Sequence, residues 1–325
     1  PMSRARILAD YVSSGDELAA VATTANAALP TTTAASTYAP LANPTFTGTT
    51  TVSGDLVPST PLSHRNMIIN GAMQVWQRVT ATTTVAFTYG TADRWGHYYS
   101  INGAWTSGRY SMSLPDINTT GQSYALKLDC TGTDTSIAAG QYAFVRYKIE
   151  GQDCTRLQYG TAAAKTMTLS FWVKSNKAGI YCVGIVKADA TQYSCPIEYT
   201  ISAADTWQKI TIPITPTAGS TSLITSAAGI INNDTGVGLE VTFSLAMGTD
   251  RHGANNTWAE YEKLSTSNQV NWFDSTSNNF YLTGVQLELG SNATPFEHRS
   301  YGDELARCQR YYFRITNEIA GENSF

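Results

Sequence analysis

With 325 residues the chain is long enough for one large or two modest domains. Charged residues are 14% of it, against roughly 25% in an ordinary soluble domain, and the net charge of −4 is spread out with no Lys/Arg run, which argues against nucleic acid or an anionic membrane as partner. No apolar stretch reaches the roughly 18 residues of a membrane span, and 11% aromatics exclude a disordered composition.

The first element is a helix within residues 1–29. Met2-Ser3-Arg4-Ala5-Arg6 is basic but no apolar run follows, so no secretory signal is expected. Ser14-Gly15-Asp16-Glu17 reads as a capping box, and the Ala-rich stretch after it stops at Leu29, before Pro30. Ile7, Tyr11, Leu18, Val21, Ala25 and Ala28 fall on the a and d positions of one heptad frame, with Ser14 in the gap. An amphipathic helix packed on its own domain would look similar. No periodic apolar partner lies nearby, so self-association through these residues is the preferred reading.

Residues 30–63 form a Thr/Pro-rich neck with no core of its own. It is either a linker or a segment ordered by sister chains. Leu41, Phe46, Val52, Leu56 and Val57 give three meeting copies something to bury.

From residue 64 to 299 the pattern is strand and turn. Met167, Leu169, Phe171 and Val173 alternate with polar or outward residues, as do Ile210, Ile212 and Ile214, and Leu239, Val241, Phe243 and Leu245. The same texture recurs near 124–128 and 141–149. Strands without intervening amphipathic helices predict a mainly β protein, a jelly-roll-like antiparallel sandwich behind a short helical stalk and extended neck. In Phe280–Leu289 the apolar phase slips at Gly284, which suits a bulge. Residues 300–325 return to helix and tail, with Ser300 placed to cap a helix near 302–312.

The five cysteines (130, 154, 182, 195 and 308) form no CxxC or Cys/His cluster and read as small core residues; a Cys182–Cys195 hairpin bridge is the less favoured alternative. His64, His97, His252 and His298 are scattered without metal-ligand spacing, and neither a nucleophile triad nor a phosphate loop is legible. Asp93-Arg94 and Glu297-His298-Arg299 read as structural charge pairs. Asp129, Asp134, Asp153 and Asp189 sit in turn-like contexts, but no calcium loop can be drawn from them. No catalytic residue, cofactor or metal is therefore expected. Among the tryptophans, Trp95 and Trp272 read as core. Trp172 points opposite Phe171 and Val173, outward or into a subunit interface. Trp105 and Trp258 lie in polar, loop-like stretches where an exposed ring can stack on a sugar.

Several strings resemble a widespread family of tailed-bacteriophage fibre and appendage proteins. Ile7-Leu-Ala-Asp-Tyr-Val-Ser-Ser-Gly15 is similar to its leader, and Tyr38-Ala-Pro-Leu-Ala-Asn-Pro-Thr-Phe-Thr-Gly48 to its neck. Asn66-Met-Ile-Ile-Asn-Gly71, Gln77-Arg78 and Thr91-Ala-Asp-Arg-Trp95 resemble the start of its β-domain, and Ile149-Glu-Gly-Gln-Asp153 and Leu169-Ser-Phe-Trp-Val-Lys-Ser175 its middle. Thr283-Gly-Val-Gln-Leu-Glu-Leu-Gly290, Ala293-Thr-Pro-Phe-Glu297 and Asp303-Glu-Leu-Ala-Arg-Cys-Gln-Arg-Tyr-Tyr312 resemble its end. The resemblance implies a body similar to carbohydrate-binding modules, in a homotrimer on a virion assembled in the bacterial cytoplasm. It implies contact with other virion proteins through the N-terminus and with host surface glycan, and no enzymatic activity. Many relatives continue into a further β-domain, whereas this chain ends at Phe325. The competing readings are a carbohydrate-binding module of a glycan-degrading system and a short tailspike depolymerase. The missing signal and the fibre-like neck count against the first. The second usually needs β-helix repeats and paired carboxylates, which are not legible here.

Overall fold

A computed structural model describes residues 64–79, 83–84 and 89–314, all within the unit Ser59–Phe325. The stalk and neck, with Ile7, Tyr11, Leu18, Val21, Ala25 and Ala28, lie outside the described residues.

The strands are β1 (Thr83–Thr84), β2 (Trp95–Tyr99), β3 (Ala104–Ser111), β4 (Tyr124–Gly132), β5 (Tyr142–Glu150) and β6 (Met167–Ser175). They continue with β7 (Gly179–Lys187), β8 (Tyr193–Ile201), β9 (Gln208–Ile214), β10 (Val237–Met247), β11 (Ala259–Glu260) and β12 (Asn279–Leu289). Among the described residues two α-helices accompany them, α1 (Leu114–Thr120) and α2 (Tyr301–Gln309). The first sheet has the order β1-β3-β4-β12-β6-β9 and the second β11-β8-β7-β10-β5-β2. The chain repeatedly crosses from one sheet to the other, which gives the jelly-roll-like sandwich that the alternating sequence predicts.

The alternation builds the core directly. Met167, Leu169, Phe171 and Val173 of β6 and Leu239, Val241, Phe243 and Leu245 of β10 are all buried between the sheets. Each such side chain stabilises the fold by about 1.5–3 kcal/mol relative to exposure. Trp95 and Trp272 are fully buried, as expected. All five cysteines are free and buried. Cys182 pairs with Glu198 and Cys195 with Ile185 across the β7–β8 hairpin, so the two thiols point to opposite faces and cannot bridge. The pairing of β12 with β6 slips between Thr283 and Gln286, and Gly284 takes φ +60 there, which is the expected bulge.

α2 begins where Ser300 accepts from the Asp303 amide. α1 was not anticipated, although its signals are plain. Ser113 caps it, Pro115 and Asp116 occupy its first turn, and Gly121 ends it at φ +71.

Among the described residues, the resembling strings at 66–71, 91–95, 283–290 and 293–297 meet at one hydrogen-bonded junction. The Asn66 side chain accepts from the Ile68 and Leu287 amides and donates to the Val285 carbonyl. Glu297 accepts from the Asn66 amide at 2.9 Å, and Arg299 donates to the Asn66 carbonyl at 2.6 Å. Asn70 donates to the Val75 and Asp93 carbonyls, and Trp95 donates to the Asn70 carbonyl. Arg94 stacks 3.4 Å over Tyr311 and Arg78 3.6 Å over Tyr312, fastening the residues after α2 to the sandwich. Asp93 pairs with Arg78, and Glu297 with Arg299. These charged clusters are structural.

Candidate functional site

Each sheet has one face in the core and one outward, and the outward faces differ. On the second sheet Tyr98, Phe144, Arg146, Val186, Gly184, Glu240, Thr242, Ser244 and Glu198 point outward, by the register of β2, β5, β10, β7 and β8. This face is covered by residues 248–270. Leu264 is buried against Phe144, Val186 and Met247, and Ser244 donates to its carbonyl at 2.9 Å. A Cβ at Gly184 would stand 2.8 Å from the Leu264 side chain, so only glycine admits the cover. Arg146 bonds Glu240 and Glu262, and Arg251 bonds Glu262. Burial raises the Glu240 pKa although Arg146 and Lys148 oppose it.

The first sheet leaves aromatic rings at its surface. Its register brings Lys127, Tyr281 and Lys174 into one row across β4, β12 and β6. Tyr110 and Ala125 stand opposite each other on β3 and β4, and Trp172 and Lys209 on β6 and β9. The Lys174 ammonium lies 4.7 Å from the Tyr281 ring centroid, 4.9 Å from Trp207 and 5.3 Å from Tyr110. Tyr281 meets Tyr110 edge-on at 5.0 Å and Trp207 at 6.1 Å. α1 fixes this cage through Asp116, which accepts from the Trp207 indole at 2.9 Å, the Ser113 hydroxyl at 2.9 Å and the Tyr110 hydroxyl at 3.3 Å. Burial works against its charge, but the Ser113 hydrogen bond, the Lys174 charge and the Trp207 indole hold the Asp116 carboxyl below its ordinary range. Burial, then the charges of Asp129, Asp205 and Asp116, push the Tyr281 phenol up to about 12, so it stays a neutral hydrogen-bond donor and acceptor. Tyr110, Trp172, Lys174 and Tyr281 are all partly exposed.

Such a surface can stack on an apolar ring face and hydrogen-bond its edge. Asp116 is engaged by three donors, and Asp129 by Lys127 at 2.9 Å. No group of three or more His, Cys, Asp or Glu side chains among the described residues could hold a metal ion.

The two tryptophans expected to contact glycan are elsewhere, and both are buried, which corrects that expectation. Trp105 belongs to β3 and is 1% exposed, wedged among His97, Trp272 and Phe273 at centroid distances of 5.5, 6.2 and 5.6 Å. The small polar residues beside it made a strand resemble a loop. Trp258, also 1% exposed, donates its indole N–H to the Thr215 carbonyl at 2.8 Å and packs on Tyr159. It anchors its loop instead of presenting a ring. Trp172 does point away from the core, as its phase required, and packs in the group containing Met112, Ala125 and Trp207. Tyr281 could have been found by the same phase argument, between inward Phe280 and Leu282. Trp207, before the start of β9, could not.

No family model matches the sequence, and no curated protein matches it. Solved structures do show likeness. A candidate sugar-binding protein from Bacteroides thetaiotaomicron aligns at 14% identity over 70% of this chain and 100% of its own, with a TM-score of 0.38. The family 11 carbohydrate-binding module of a cellulosomal cellulase from Clostridium thermocellum aligns at 15% identity over 67% and 99%, with a TM-score of 0.31. The enzymatically active domain of tailspike protein 4 of bacteriophage CBA120 aligns at 11% identity over 69% of this chain and 21% of its own, with a TM-score of 0.32.

Proposed function

We propose that this chain is a non-enzymatic virion subunit, a tail fibre or appendage protein of a tailed bacteriophage. It assembles as a homotrimer through residues 7–60, joins other virion proteins through its N-terminus, and meets host surface glycan with the open face of its first sheet. The ordered strings from Ile7 to Tyr312 support the family. The observation that carries the glycan contact is the partly exposed group of Tyr110, Trp172 and Tyr281, braced from beneath by the buried Trp207. One such platform binds weakly, with Kd on the order of millimolar, and repetition around trimers on one particle raises avidity by roughly 10²–10⁴.

The test is adsorption of particles carrying Tyr110→Ala with Tyr281→Ala, against the parent. Adsorption is expected to fall by about tenfold or more, because avidity multiplies each local loss. Light scattering on the purified chain should give a trimer for both. Equal adsorption with intact trimers favours a second reading, in which the body is a spacer between virion parts. That reading has its own support, since the chain's own Lys174 already occupies the ring cage.

A further inference from the structure

At one end of the open face lies a cleft of about 70 Å³ whose lining includes Gln74, Gln122, Ser123, Phe296 and His298. Gln122 is 2% exposed, and its Nε2 has no hydrogen-bond partner. A buried amide donor left unpaired costs about 1–3 kcal/mol, so an orphan beside a polar cleft marks a place where a partner belongs.

The cleft's charges are already matched within the protein. Glu297 accepts from the Arg65 and Asn66 amides and from Arg299, and Glu304 accepts from the Asn70 amide and from Arg299. What remains on offer is an amide, a hydroxyl and an imidazole. The side chains of Gln74, Ser123 and His298 make no hydrogen bond to another described residue, and the Phe296 ring meets the His298 ring at 5.0 Å. Ser123 and His298 are exposed at the mouth. Unpaired amide, hydroxyl and imidazole groups beside an aromatic ring, with the carboxylates and guanidinium already matched, suit a hydroxyl-rich ligand.

The position connects the cleft to the face. At the Gly284 bulge, a Cβ would stand 3.0 Å from the Trp172 ring and 3.5 Å from the Gln122 side chain. The outward tryptophan of the first sheet and the orphan amide therefore meet at one glycine. The volume holds several waters, or the hydroxyl-bearing edge of one sugar ring, and not a whole ring.

We infer that this cleft is a subsite for the edge of a neutral terminal sugar residue, with Gln122 and His298 as its hydrogen-bonding groups. The inference rests on the glycan reading of the open face. The test uses the full chain and saturation-transfer NMR with the methyl glycosides of glucose, galactose, mannose and N-acetylglucosamine. A host surface polysaccharide extract is tested in parallel for retention. At least one glycoside should bind the parent, and Gln122→Met and His298→Ala should each weaken it by about tenfold, the worth of one hydrogen bond. Gln122→Met keeps the side-chain volume and removes the orphan, so its thermal midpoint should equal or exceed the parent's. A marked fall in that midpoint would assign the amide to the fold, and His298→Ala alone would then decide. Glycoside binding indifferent to both substitutions overturns the subsite, as does polysaccharide retention without any glycoside binding. Retention that is lost in Tyr281→Ala but kept in Gln122→Met overturns the subsite and leaves the glycan reading standing. A parent that binds neither glycoside nor polysaccharide overturns both.

Discussion

The outward face of the second sheet has a small-featured patch beside the stacked rings of Tyr98, Phe144 and Tyr142, and the chain itself fills it. Gly184, Thr242 and Ser244 leave a depression into which Leu264 fits, and a charge network of Arg146, Arg251, Glu240 and Glu262 surrounds the seat. The outward face of the first sheet is instead raised. Tyr110, Trp172 and Tyr281 stand up from it, and one short helix fastens only part of it through Asp116. Both faces come from the same period-two alternation. What separates them is where small outward residues meet in the strand register. Gly184 and Thr242 stand opposite each other and leave room for a covering segment with its own apolar plug, whereas around Tyr281 the neighbouring outward residues are rings and lysines that keep ring surface exposed.

The strongest way to break the contrast is to remove the plug. Leu264→Ala takes a fully buried side chain out of the cover, and a core truncation of this kind costs about 2–5 kcal/mol. Because the seat lies under one loop that can settle, about 3 kcal/mol is expected in urea unfolding. Amides in 259–266 should exchange faster with solvent, while those of β4 and β12 keep their protection up to global unfolding. Unchanged stability would mean that the cover rests on its charge network and not on its plug.

A second measurement separates both faces from the core between them. His97 lies against Trp105, with Thr91 Oγ1 2.8 Å from its Nε2, and burial lowers its pKa to about 4. The unfolded chain takes up this proton near pH 6.5, and the folded one resists until about 4. His97 therefore subtracts nothing above pH 6.5 and destabilises the fold progressively as pH falls toward 4, by on the order of 3 kcal/mol. His97→Asn should flatten that stretch of the stability–pH curve. A slope that survives the substitution would move the acid sensitivity to the faces.

Much of this contrast was readable in the letters, and the rest failed for physical reasons. Alternation places a residue inward or outward, which identified the core of β6 and β10, the outward Trp172 and the slip at Gly284. It says nothing about which strands become neighbours. The row Lys127–Tyr281–Lys174 joins residues from three separate strands and exists only through sheet register. Trp105 was misassigned because Asn102-Gly-Ala-Trp-Thr-Ser-Gly108 has loop composition, yet small residues serve equally well at the edge of a packed strand. Covering is equally invisible, since residues 248–270 carry no strong period and owe their place to the depression they fill. Among the described residues, the resembling strings near 66–78, 91–95 and 293–312 clasp the residues around α2 to the sandwich. They speak of architecture, and of the rings on the open face only Trp172 falls inside one of them, while Tyr110, Trp207 and Tyr281 lie outside.

The smallest expected effect lies on the open face. Lys174→Met removes the ammonium from the three rings and leaves an unbranched side chain in its place. The cation is partly exposed, so its ring contacts together contribute about 0.5–1 kcal/mol, and the methionine's own contact with the aromatic rings returns part of that. A loss near 0.5 kcal/mol in urea unfolding is therefore expected. The more informative reading is the titration of Asp116. Its carboxyl is held low, against burial, first by the Ser113 hydrogen bond and next by the Lys174 charge. Without the ammonium the pKa should rise toward the ordinary aspartate value and stop short of it, because the Ser113 and Trp207 donors remain. Carbon-13 NMR of the side-chain carboxyl would follow this directly. If the pKa did not move, Lys174 would be a loose surface cation, and the rings of this face would already be free for a ligand.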